Sequence, residues 1–336
     1  MTHPRDAGML VFWLALAGLG LLSLAGMGWE AWQSARERRR IAQPGALVEI
    51  GETRLHAVLQ GRRRSVEHPV LVFDGGLTNG SLAWPAAVAA LGPEWLTLSF
   101  DRAGHLWSDR ALGPRDAEAS LADQRALLAA LHLAPPWVLV AHSCSGHIAR
   151  LHASRHPEDV AGLVLVETIP AELAGAITQS SFARSLWWKV PAARLGLWRL
   201  RRLLQGLPRR PDRVTPASMQ AAWTRLSQTP RGLEATRAEL ACLVADTQAV
   251  DAAPPPPQPC IVLASTRGAV VVPRGMTEAA AHEQALRAQR NLAARLPGAE
   301  LRVTDAGNHE LPWQAPEEVA QAIQDLAARL QAGRAG

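Results

Sequence analysis

Cysteine is scarce in this chain: Cys144, Cys242 and Cys260 are the three in 336 residues. They form no Cys-x-x-Cys pair, and no His/Cys group has zinc spacing, so neither a disulfide framework nor a metal site is expected. Charged residues make up only 19% of the chain. There is no internal repeat and no phosphate-cradling glycine loop, which argues against a solenoid and a nucleotide binder. No cofactor is expected. Against these absences, the 48% hydrophobic content is enough for one sizeable core plus an insertion.

The amino-terminal part carries the longest apolar run, Met9 to Trp29, without a charge. About 20 residues at a rise of ~1.5 Å each reach about 30 Å, the thickness of the hydrocarbon layer. The run predicts a single transmembrane anchor over residues 9–29, with Trp13 and Trp29 at the interfaces. A cleaved signal peptide competes, since Ser23-Leu24-Ala25 resembles a small-x-small site. The run exceeds a typical signal core and its leading segment is weakly basic, so a retained anchor is preferred. Arg5 precedes the run, whereas Arg36, Arg38, Arg39 and Arg40 follow it. That asymmetry favours the cytoplasmic side for the remainder, although a long carboxy-terminal domain can override it. Residues 30–45, ending in Gln43-Pro44-Gly45, read as a short stalk.

Beyond the stalk, Leu47–Ile50 and Arg54–Val58 alternate around Gly51-Glu52, a hairpin signal. Val70–Phe73, Leu96–Phe100, Trp137–Val140, Val160–Val166 and Cys260–Ala264 read as buried strands, with helical stretches between them. This alternation argues for a mostly parallel sheet flanked by helices. Trp137–Val140 leads into Ala141-His142-Ser143-Cys144-Ser145-Gly146 and then a helix. A strand, a sharp turn with a central serine and a helix together present one hydroxyl beside a helix amino terminus. The usual Gly-x-Ser-x-Gly pattern is altered: Ala141 and Ser145 occupy the glycine positions, and Gly146 comes one step late. Val70–Phe73 runs into Asp74-Gly75-Gly76-Leu77, and Leu96–Phe100 into Asp101-Arg102-Ala103-Gly104-His105-Leu106-Trp107-Ser108-Asp109. Near the end stand Asp305-Ala306-Gly307-Asn308-His309 and Pro316-Glu317-Glu318.

These blocks resemble the α/β-hydrolase superfamily over roughly residues 45–330. The resemblance implies a core from residues 46–167 and 260–332 and a helical cap over 168–259. Leu106, where glycine is frequent, and Ser145 depart from the pattern. By the same resemblance Ser143 is the nucleophile and His309 its base, with oxyanion hydrogen bonds from the backbone N–H groups of Leu77 and Cys144. The acid often follows the strand that here ends at Ala264, but Ser265-Thr266-Arg267-Gly268 supplies no carboxylate. Glu167, ending the preceding strand, takes the alternative family position, which some haloalkane dehalogenases also use. Asp305 is the runner-up, awkwardly close in sequence to His309. Asp101 and Arg102 are read as fixing a turn, and His142, His147, His152 and His156 as lying outside the chemistry.

The cap is basic: residues 184–213 carry nine Arg or Lys and one Asp. Ala193, Leu197, Leu200 and Leu204 fall on one helical stripe, with Arg199 and Arg202 opposite. One reading is a lid lying on anionic lipid beside its own anchor. The preferred one packs the leucines on the core and leaves the arginines in water. Nucleic acid is not an expected partner, since no recognition module accompanies the charge. The expected protein is a membrane-anchored serine hydrolase that cleaves an ester, or else an amide or thioester, of an apolar small molecule through an acyl-enzyme. The alternative is an inactive hydrolase-like domain that binds a ligand or protein.

Overall fold

Eight strands form one sheet in a computed structural model that describes residues 4–206 and 217–335. They are β1 (Ala46–Ile50), β2 (Thr53–Gln60), β3 (Val70–Asp74), β4 (Thr97–Phe100), β5 (Trp137–His142), β6 (Val160–Val166), β7 (Cys260–Ser265) and β8 (Glu300–Thr304). The spatial order is β1-β2-β4-β3-β5-β6-β7-β8. The β1–β2 hairpin and the β2–β4 pair are antiparallel, and every later pair is parallel. The central strands β3, β5 and β7 are buried at every position, because helices cover both faces.

The helices are α1 (Pro4–Arg40), α2 (Pro85–Leu91), α3 (Ala117–Ala130), α4 (Ser145–Arg155), α5 (Ala171–Thr178), α6 (Ser181–Arg194), α7 (Leu197–Gln205), α8 (Ala217–Ser227), α9 (Pro230–Ala252), α10 (Glu278–Arg295), α11 (Leu311–Gln314) and α12 (Pro316–Ala335). Two apolar layers sandwich the sheet. One joins Val72, Leu98, Leu139, Leu165 and Val262 to Leu127 and Leu292 of α3 and α10. The other joins Phe73, Val140, Val164 and Leu263 to Trp84, Ile323 and Leu326. This is the mostly parallel, helix-flanked sheet expected from the strand–helix rhythm, in the α/β-hydrolase fold that the resemblance implies. Between β6 and β7 the chain leaves the sheet for α5–α9. The amino termini of α6 and α9 are fixed by Ser180 and Thr229, whose hydroxyls accept from the N–H groups of Ala183 and Gly232.

Two local expectations change. The segment read as a stalk is helical to Arg40, continuous with the apolar run. Its buried Glu30 meets Arg199 of α7 through two hydrogen bonds of 2.6 and 2.8 Å. The polarity of α7 is also the reverse of the preferred reading. Arg199 and Arg202 are buried, while Leu197, Leu200, Leu203 and Leu204 are exposed. Glu30 and Glu37 of α1 draw Arg199 inward, and an ion pair outcompetes the leucines for that side. Arg209, Arg210 and Arg213, part of the basic stretch, lie outside the described residues.

Candidate active site

β5 ends at His142, and α4 starts at Ser145. The turn between them is tight enough to put Ser143 in the left-handed region, at φ 60°. A non-glycine residue held there costs about 1–3 kcal/mol and needs neighbours to impose it. The Ser143 N–H donates to Val166 O (3.2 Å), and its carbonyl accepts from Gly146 (3.2 Å) and Ile169 (3.1 Å). Small residues sit where the crowding is. A Cβ on Gly76 would lie 2.9 Å from Ser143 Cβ, and one on Gly146 would collide with the side chain of Thr168. Position 145 is less restricted. The Ser145 hydroxyl is buried within 2.8 Å of both the Asp74 and His142 carbonyl oxygens. It ties the turn to the end of β3, which accounts for the departure from glycine.

His309, in the loop after β8, brings Nε2 to 2.9 Å from Ser143 Oγ and Nδ1 to 3.2 Å from Glu167 Oε2. Glu167 is buried at the end of β6, with φ 47°. Its other oxygen accepts from the Ser265 N–H (2.5 Å). Gly268 lies so close that any Cβ there would strike the carboxylate. The loop after β7, which has no carboxylate of its own, therefore wraps the one supplied by β6. Asp305, the runner-up, makes no contact with His309 among the described hydrogen bonds and ion pairs. Its carbonyl accepts from Arg267.

His142 does not simply turn away from the site. Its Nε2 lies 2.8 Å from the His309 carbonyl oxygen, and the two rings are 5.0 Å apart. Since a carbonyl only accepts, Nε2 is the protonated nitrogen, and the ring props the backbone of His309. His147 and His152 are buried on α4. Burial pushes both imidazoles down to about 3 and keeps them neutral. Desolvation pushes the Cys144 thiol up to about 12, so it is no nucleophile at neutral pH. The thiol lies against the backbone N–H of Leu77 and 3.7 Å from Arg102.

Arg102 does much more than fix a turn. It is buried and bonds Asp74, the Gly75 carbonyl (2.6 Å) and the Gly76 carbonyl (3.3 Å). Its other edge grips Glu239 of α9 with hydrogen bonds of 2.9 and 2.8 Å, and His105 Nε2 lies 3.0 Å from the same carboxylate. One guanidinium thus joins the glycine loop before Leu77 to the cap. Two buried carboxylates compete for it. Glu239 wins the bidentate contact, and Arg102 and His105 hold its carboxyl well below the usual range despite burial. Asp74 is left with one contact, and desolvation pushes it up to about 6. Glu239 carried no sequence signal, being one of several acids in the helical insertion, 137 positions from Arg102.

Leu77 and Cys144 pack into an apolar cluster with Ile169, Ile177, Leu186 and Leu240, which closes the cap over the turn. His309 also borders an open cavity of about 540 Å³, lined by Arg267, Glu278, His282, Asn308, Glu310 and Gln314, among others. As for a metal, His156, Glu158 and Asp159 lie within reach of a single ion on the surface. Asp159 there is already held by Arg125 at 2.9 Å.

A parallel sheet with a serine at this strand–helix turn and a histidine after the last strand defines a hydrolase class. Residues 70–322 match the model of the alpha/beta hydrolase family, and the chain belongs to it. Among curated proteins it is 31% identical over 141 residues to the "Probable transporter efuK" of Hormonema carpetanum, covering 41% of this chain and 19% of that one. It is 29% identical over 105 residues to the uncharacterized protein YqjL of Bacillus subtilis, covering 31% and 42%. The chain thus spans less than half the length of either relative. Similar solved structures include an inferred ancestral haloalkane dehalogenase, AncHLD2 (TM-score 0.62, 18% identity, 85% of this chain and 99% of that one). A membrane phospholipase A described as a bacterial virulence factor has a TM-score of 0.58 at 18% identity, covering 98% and 99%. At these identities the likeness is one of fold.

Proposed function

We propose that the protein is a serine hydrolase that cleaves a carboxylic ester through an acyl-enzyme on Ser143. The observation that carries this reading is the chain of contacts from Ser143 Oγ through both nitrogens of His309 to Glu167. A serine hydroxyl becomes nucleophilic when a base takes its proton as it attacks. His309 Nε2 is within reach to accept that proton and later return it to the leaving alcohol. Glu167 fixes the tautomer and stabilises the imidazolium. The backbone N–H of Cys144 would receive the oxyanion, joined by that of Leu77 as it exchanges the Cys144 thiol for the stronger acceptor. Water then repeats the sequence on the acyl-enzyme and releases the acid. No cofactor enters the proposed cycle.

The apolar residues of the cap around Leu77 and Cys144 favour an apolar group on one side of the ester. The polar cavity that His309 borders favours a polar group on the other. α1 is long and apolar enough to cross a membrane, and we propose that it anchors the enzyme there, with the hydrolase domain on the cytoplasmic side. The rival reading, a binder without turnover, rested on Ser145 and on the displaced acid. The satisfied Ser145 hydroxyl and the Glu167–His309 contact favour turnover over that reading.

The test is turnover of a p-nitrophenyl ester series by the full chain. Ser143→Ala should lower kcat by about 10⁴-fold or more, and Glu167→Gln by about 10²–10⁴-fold. A folded wild type with no turnover, or a Ser143→Ala variant as active as wild type, would refute the reading.

A further inference from the structure

The leucine face of α7 has no partner among the described residues. Leu197, Leu200, Leu203 and Leu204 are 55%, 48%, 68% and 80% exposed. On α6, Trp187 is 81% exposed. Isolated exposed leucines are ordinary, but four within one nine-residue helix form a patch. The opposite side of α7 fixes its orientation. Arg199 grips Glu30 and bonds Glu37 at 2.7 Å, and its Nη2 donates to Ser34 Oγ at 3.1 Å. These three partners lie on α1, so the leucine face cannot roll inward without stranding a buried ion pair.

The level of α7 relative to the apolar run is also fixed. In the α6–α7 turn, Leu195 lies so close to Gly26 that a Cβ on Gly26 would strike its carbonyl. A Cβ on Gly196 would meet the Trp29 ring at 2.8 Å. A span starting at Met9 uses about 20 residues to cross about 30 Å of hydrocarbon, and so leaves it near Trp29. The turn therefore sits at the hydrocarbon edge, and nine residues at ~1.5 Å each keep all of α7 within about 14 Å of it. Lys189, stacked on Trp188 and Trp198, and Arg201, stacked on Trp198, put cations beside the apolar face.

We propose that α7 is an in-plane membrane helix: its leucine face enters the leaflet that α1 leaves, and Lys189 and Arg201 meet anionic headgroups. The cap is then held to the bilayer at two points, the anchor and α7, which sets the hydrolase domain in one orientation on the surface. The inference rests on the reading of α1 as a span, and it says nothing of the chemistry at Ser143.

The test uses the full chain in vesicles of phosphatidylcholine and phosphatidylglycerol. An NBD fluorophore is placed by Leu204→Cys, or by Val66→Cys as an exposed control, both on a Cys242→Ser background. The expected result is a blue-shifted NBD at position 204, quenched several-fold by nitroxide-labelled lipid, with position 66 unaffected. The signal at position 204 should persist at one chain per vesicle and be lost in Leu197→Glu/Leu200→Glu, in which the labelled residue is untouched. Position 204 behaving like position 66 would overturn the proposal. So would a blue shift without lipid quenching, in which case the chain covers its own face. A signal that disappears on dilution to one chain per vesicle would also overturn it, since the face would then seat a second copy. Carbonate extraction reports the span separately: release of the protein from the vesicles would sink the anchor reading itself.

Discussion

Arg102 and Arg199 are two solutions to one problem. Each is buried, each holds a glutamate from a distant part of the chain through two hydrogen bonds, and each ties the cap to something else. Arg102 ties α9 to the glycine loop under Leu77, so its surroundings are the proposed reacting centre. Arg199 ties α7 to α1, so its surroundings are the edge of the apolar run. Pairing of this kind is a poor source of net stability, because desolvation cancels most of the attraction. It is a good source of fixed geometry. At Arg102 the geometry fixed is that of backbone amides; at Arg199 it is the direction in which a leucine face points.

Arg102→Gln strands Asp74 and Glu239 in the core and should cost about 3–5 kcal/mol, seen as a large fall in the urea midpoint, with ester turnover lost in parallel. Arg199→Gln leaves Glu30 and Glu37 half-compensated and should cost less, about 1–3 kcal/mol, with turnover of a soluble ester unchanged. Equal losses of turnover in the two variants would erase the distinction between them. Glu239→Gln keeps the shape and removes one charge. It should lower kcat by about tenfold with KM nearly unchanged, short of the 10²–10³-fold expected for losing an oxyanion donor outright.

The next effect is one of pH. The folded pKa of Asp74, about 6, lies above its ordinary 3.8, so the native state holds the extra proton between those values. Stability from this group is complete below pH 3.8 and declines as pH rises to about 6. Asp74→Asn should flatten that decline in a series of thermal midpoints, and an unchanged slope would assign it to other groups. The smallest effect is expected at the turn. Ser145→Gly restores the common glycine but gives up a buried hydrogen bond, and should lower stability by about 1 kcal/mol.

The sheet was legible because apolar runs in β3, β5, β6 and β7 are bounded by turn residues and spaced by helical stretches. Ser143, His309 and Glu167 were singled out through the family resemblance, and they come together because β5, β6 and β8 run parallel and end on the same side of the sheet. The Arg102–Glu239 contact was not legible, since nothing in the sequence sets Glu239 apart from the other acids of the helical insertion. The orientation of α7 was misread for a different reason. A leucine stripe with arginines opposite is the same string whether the leucines face a core, a lid or a bilayer. Only the position of Glu30 and Glu37 on a continuous α1 decides, and reading residues 30–45 as a stalk gave no reason to set those acids against α7.

The most direct measurement of the central claim is the site of covalent capture. The full chain is treated with a fluorophosphonate and the modified residue is located by peptide mass spectrometry. One adduct is expected, on Ser143, absent in Ser143→Ala and strongly slowed in His309→Ala. A folded protein that takes up no label, or one labelled on Ser145, would contradict it.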